Sequence, residues 1–130
     1  MTGEPGTSAA PYRRGNLLDD LAMAKDERFE PLFEGHGFRL LRIVSTGQTT
    51  PPGEWYDQDE DEWVVVMQGQ AELVIEDQEG IAKMGPGDWI LLPAHCRHRV
   101  ERTSIDPPTV WLALHADRPD QKAGKPLKSS

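Results

Sequence analysis

Hydrophobic and polar positions along the chain fall into short blocks separated by turn residues. Residues 37–45 (GFRLLRIVS), 62–69 (EWVVVMQG), 70–77 (QAELVIED), 88–93 (DWILLP), 98–102 (HRVER) and 109–115 (TVWLALH) are each of strand length. They are rich in β-branched or aromatic side chains, which fit a pleated, half-buried surface. Turn signals stand between or beside them at 34–37, 49–53, 77–80, 85–88 and 106–108. Strands repeated at this spacing predict an all-β sandwich or small barrel. In 70–77, Ala71, Leu73 and Ile75 alternate with Gln70, Glu72 and Glu76, apart from Val74, so one face of that strand is expected to meet water. WVVVM and WILL do not alternate; both their faces are expected to be covered, one by the interior and the other by a second sheet or subunit. Ahead of the strands, Asn16 can cap a short helix over NLLDDLAMA, where Leu17, Leu18 and Leu21 have helical spacing.

Composition changes this picture at the ends. Only 37% of the 130 residues are hydrophobic, and residues 1–15 and 117–130 are rich in Gly, Pro, Ser and charge. Such segments bury too little apolar area to offset the entropy of ordering, so both are expected to be flexible tails around one domain at 16–116. The net charge of −8, with no dense basic patch, argues against nucleic acid as a partner. No apolar run approaches the roughly 20 residues that span a bilayer, and the first residues contain no signal-peptide stretch, so no membrane partner is expected and the expected location is cytoplasmic. Cys96 is the only cysteine, which leaves no intrachain disulfide.

Several catalytic classes find no support. GPGD at 85–88 joins strand to strand, unlike a nucleotide-binding loop, which opens a helix. No Ser sits in a nucleophile elbow. The acidic run DQDEDE at 57–62 lacks the glycine and distal glutamate of a calcium loop, and most of its charges are expected to form a solvated turn.

Two segments bear candidate chemistry. In GDWILLPAHCRH, Gly87, Pro93 and His98 match the motif G-x5-P-x-G-x2-H-x3-N, with His95 in place of the inner glycine and Arg102 in place of the asparagine. In EWVVVMQG, Glu62 and Gly69 match the second half of the motif G-x5-H-x-H-x3–4-E-x6-G. On these motifs, over roughly residues 38–115, the chain resembles the cupin superfamily. The resemblance implies a double-stranded β-helix, or jelly-roll barrel, here with the short N-terminal helix added. It also implies three His and one Glu holding a divalent metal such as Fe, Mn, Ni, Zn or Cu. Counting back from Glu62 puts the two first-motif histidines at Tyr56 and Gln58, or at Trp55 and Asp57; neither register holds a histidine.

The remaining candidate ligands are Glu62 and His98, with Gln58 as a weaker oxygen donor and His95 as a second imidazole. Fe, Mn, Ni and Zn all suit such donors. The same Glu62 and His98 are the candidate catalytic pair; without metal they form an acid/base pair in which the Glu pKa is raised. Trp55 and Tyr56 are candidate pocket walls, and Asp57 is either a pocket residue or, in the longer register, a ligand. His95 at a turn position either touches the metal or faces solvent. His115 is either a residue supporting the site or a surface residue, His36 is expected to be exposed, and Cys96 is either a reactive thiol or a small buried hydrophobe. Arg97 and Arg99 flank His98 and should point away from the interior.

The resulting expectation is a small cupin, paired as a homodimer, that binds a divalent metal and acts on a small polar metabolite as a dioxygenase, isomerase or lyase. The alternatives are a non-enzymatic ligand-binding or sensing module, and a metal-free epimerase-like enzyme with His98 as base.

Overall fold

The computed structural model describes residues 11–118, which form eight strands. These are β1 (Arg28–Gly35), β2 (Phe38–Ser45), β3 (Asp61–Gln68), β4 (Ala71–Ile75), β5 (Ala82–Met84), β6 (Trp89–Leu92), β7 (His98–Thr103) and β8 (Thr109–Ala116). One sheet has the order β1-β2-β8-β3-β6 and the other β5-β4-β7, and every paired strand is antiparallel. The two sheets face each other across Val64, Val66, Leu73, Met84 and Trp111, the jelly-roll arrangement expected from the strand spacing. No described helix is long and apolar enough to cross a membrane.

The expected N-terminal helix is absent. Asn16 does cap, accepting a bond from Leu18 N at 2.8 Å, but it closes only a turn, and Asp20 then takes a left-handed φ of 56°. Tertiary bonds replace the helical ones: Arg42 donates to the carbonyls of Leu17 at 2.9 Å and Asp19 at 2.6 Å. So short a helix is marginal by itself, and a buried arginine that needs acceptors outcompetes it.

The expected tails lie for the most part outside the described residues. Within them, Arg13 donates to Leu32 O at 2.9 Å, and Asp117 N donates to Gly37 O at 2.8 Å.

Within this single chain no second sheet covers the outer face of β3 and β6, which leaves only a subunit to cover it. Glu62, Val64 and Val66 point inward, as does Leu92, while Trp89 and Leu91 stay 61% and 53% exposed on the outer face. Trp63 sits beside Trp89 there, with ring centroids 6.0 Å apart.

Gly69 shows why its motif position excludes a side chain. Its φ is +84°, and a Cβ would stand 2.5 Å from Ser104 Oγ and 2.8 Å from Thr109 Cα. The close approach locks the β3–β4 turn against the β7–β8 connection.

Candidate functional site

The site begins with strand phase. Glu62 is the second residue of β3, and with Val64 and Val66 it faces the interior, where it is only 8% exposed. Its register partners are His115 on β8 and Leu92 on β6. His98 opens β7 in the opposite sheet and is 6% exposed. Both imidazoles face the one carboxylate: His98 Nε2 lies 3.7 Å from Oε1 of Glu62, and His115 Nε2 lies 3.7 Å from Oε2. These separations exceed hydrogen-bond length, so the three groups line a gap without closing it.

A segment across the mouth completes the wall. Tyr56 and His98 form an isolated β-bridge, with Tyr56 N donating to His98 O at 2.7 Å and His98 N to Tyr56 O at 3.1 Å. Their rings stack with centroids 5.4 Å apart. His95 N donates to Gln58 O at 2.7 Å, which fixes the segment two residues on. Tyr56 and Gln58 therefore face the cavity, and Trp55 and Asp57 turn away from it. Trp55 instead lies under the guanidinium groups of Arg97 and Arg99, and Asp57 accepts a bond from His95 Nδ1 at 2.8 Å. His95, with a left-handed φ of 64°, is on the outer rim between Asp57 and Asp59, away from the cavity wall.

The space these groups line is about 90 Å³ and opens to solvent at its mouth. Its remaining walls are mainly apolar, among them Phe29, Ile43, Leu73 and Trp111. One more carboxyl reaches it, that of Glu27, just ahead of β1. Glu27 accepts a short bond from the hydroxyl of Ser45, which in turn accepts from Trp111 Nε1 at 3.0 Å.

Burial sets the protonation of these groups. Loss of water pushes Glu62 up to about 7, with nearby Arg39 opposing and Glu60 adding to the rise. Burial also raises Glu27, against the Ser45 bond, and raises Tyr56, helped by the charges of Glu27 and Glu62. Both imidazoles are lowered, His98 by burial and His115 by burial and then by Arg39. Because a carbonyl only accepts, the 2.9 Å contact of His98 Nδ1 with Cys96 O puts the proton on Nδ1 and leaves the Nε2 lone pair facing Glu62. His115 Nδ1 is buried with no hydrogen-bond partner among the described residues.

Sequence reasoning singled out Glu62 and His98 but left His115 unassigned and missed Glu27. The burial of both Val110 and Trp111 on β8 explains the first: with two buried faces, alternation gave no phase. Glu27 precedes every predicted strand and belongs to neither motif, so no signal marked it.

The metal implied by the cupin resemblance does not fit these residues. Tyr56 and Gln58 stand where two imidazoles are needed, and His95 is outside. His98, His115 and Glu62 converge, but with Tyr56 and Gln58 in place of the first-motif imidazoles the donors among the described residues fall short of the family's set. What the arrangement offers instead is a proton donor near neutrality beside an imidazole lone pair, in a small apolar space.

Comparison with known proteins supports the same architecture. Among curated proteins none matches. The chain is 49% identical to a candidate mannose-6-phosphate isomerase from Ralstonia eutropha, whose solved structure superposes with a TM-score of 0.80 over 82% of this chain and 100% of that one. A cupin superfamily protein from Desulfitobacterium hafniense (18% identity, TM-score 0.65, covering 83% and 94%) and the Cnp3 cupin domain of Schizosaccharomyces pombe (13%, 0.67, covering 85% and 73%) share the fold. The family described as Cupin domain matches residues 41–115, which hold Glu62, His98 and His115, and the chain belongs to the cupin superfamily.

Proposed function

We propose that the protein is an isomerase-type cupin that moves a proton between adjacent carbons of a small hydroxycarbonyl metabolite. The observation that carries this reading is Glu62, poised near pH 7 and flanked by the Nε2 atoms of His98 and His115 at the wall of one cavity. General acid–base catalysis works best when the catalytic pKa lies near the working pH. The likeness to a candidate sugar-phosphate isomerase points to the same reaction class.

In this reading, protonated Glu62 donates to the carbonyl oxygen while His98 Nε2 takes the proton from the neighbouring carbon, giving an enediol. The imidazolium of His98 then returns its proton to the former carbonyl carbon, and Glu62 recovers a proton from the other hydroxyl, so that carbonyl and hydroxyl change places. His115 faces the second oxygen of Glu62 at 3.7 Å and adds its polar field to the acid. Each proton lost is regained, and no redox partner is needed.

The test is solvent exchange. Dihydroxyacetone incubated with the protein in D2O should lose its carbon-bound protons faster than in buffer, with the rate falling at least about a hundredfold in Glu62→Gln and in His98→Asn. EDTA dialysis should leave the rate unchanged. No exchange with any small hydroxycarbonyl compound would leave a binding or sensing module as the better reading, and a rate that requires added Mn, Fe, Ni or Zn would restore the metal.

A further inference from the structure

The residues around the cavity constrain its ligand beyond the reaction class. Two carboxyl groups, Glu27 and Glu62, face it, and among the described residues no Lys or Arg lines it. Phosphate recognition depends on cationic or multiple N–H donors, and here the nearby guanidinium groups are already engaged. Arg39 is bound to Glu60 at 2.6 Å and Arg97 to Glu76 at 3.1 Å. Arg99 is held by Glu101 and by the carbonyls of Thr50, Pro51 and Glu54. A phosphate entering here would give up its water in an apolar setting with no cation to offset its charge, and any ionised carboxyl at the wall would repel it.

Size points the same way. An apolar cavity of about 150 Å³ takes up benzene, so a space of about 90 Å³ surrounds only a few non-hydrogen atoms, and any further part of a ligand would lie at the open mouth beside the half-exposed Phe29 and Tyr56.

We propose that the ligand is an unphosphorylated hydroxycarbonyl compound that places about three carbons inside this space, and that Glu27 is the specificity residue that rejects an anionic head group. The hydroxycarbonyl part rests on the proton-transfer reading above; the exclusion of phosphate rests on the cavity walls alone. Glu27 suits the role because Ser45, fully buried and itself bonded by Trp111, fixes the carboxyl at the wall. The candidate activity of the Ralstonia protein involves a phosphorylated sugar, and among the described residues the present cavity has no cationic group to hold its phosphate.

Calorimetric titration of the full chain with dihydroxyacetone and with dihydroxyacetone phosphate tests this. The neutral compound should bind at least roughly tenfold more tightly than its phosphate, and Glu27→Gln should shrink that ratio several-fold while the protein keeps its thermal transition. Equal or tighter binding of the phosphate, or no heat from the neutral compound up to about tens of millimolar, would overturn the proposal. An unchanged ratio in Glu27→Gln would overturn the role of Glu27. Binding of dihydroxyacetone without solvent exchange of its protons would sink the isomerase reading and leave the ligand class standing, so the two ideas fail separately.

Discussion

His115 and Glu62 are register partners on β8 and β3, and His115 Nε2 stands 3.7 Å from Glu62 Oε2 with no hydrogen bond between them. The sheet itself thus brings an imidazole beside the acid, on a strand outside both motifs. His98 reaches the other oxygen from the opposite sheet.

Stability should record the cost of burying Glu62. Its pKa rises from 4.5 unfolded to about 7 folded, so the folded state binds the extra proton, and stability present below pH 4.5 is lost as pH rises through 7. The full loss is about 3 kcal/mol. Glu62→Gln should therefore stabilise the protein by about that amount at pH 8 and by little at pH 4.5, read from urea transitions at both pH values. An equal effect at the two would contradict a buried, shifted carboxyl.

The proton-transfer rate should be bell-shaped in pH. The base must be unprotonated and His98 is lowered below its usual 6.5, which places the acid limb under that value. The acid must be protonated, which places the alkaline limb near 7. His115→Asn should move the alkaline limb while leaving His98 able to act, and a profile flat from pH 5 to 9 would rule out the pair.

Gly69→Ala should cost about 2 kcal/mol or more, because it adds left-handed strain to a clash with Ser104 and Thr109. Gly53→Ala, with a similar φ of +81° but open space around it, should cost only the strain. Thermal denaturation of the two variants separates conformation from contact.

The homodimer expected from the sequence would use the outer face of β3 and β6, where exposed Trp89 and Leu91, with half-buried Trp63 beside them, form an apolar surface at a sheet edge. Sedimentation at tens of micromolar should give a dimer, and Trp89→Glu should give a monomer with its fold intact. A monomeric parent protein would remove the expectation.

The strands legible in the sequence were those whose β-branched runs lay between clear turns, β2, β3, β4, β6, β7 and β8. β5 has only three residues, Ala82–Met84, too few to show a period. β1 contains Pro31 beside a bulge and has Phe29 and Phe33 exposed, so it reads as a loop although it is an edge strand. The leucine spacing at 17–21 imitated a helix because nothing local shows that Arg42, some twenty residues on, would take its carbonyls. Glu62 and His98 were legible through motif spacing. The Glu27–Ser45–Trp111 chain joins residues far apart in sequence, and only the folded sheet brings them together.

That chain also gives the molecule an optical gauge. Trp111 is 5% exposed and its indole N–H ends on Ser45, which bonds Glu27, whereas Trp89 stands in solvent. A blue emission component that iodide cannot quench would belong to Trp111, and it should change colour or lifetime as Glu27 gains or loses its proton, and stop doing so in Glu27→Gln. Occupancy of the hollow could then be followed by light alone, without any label.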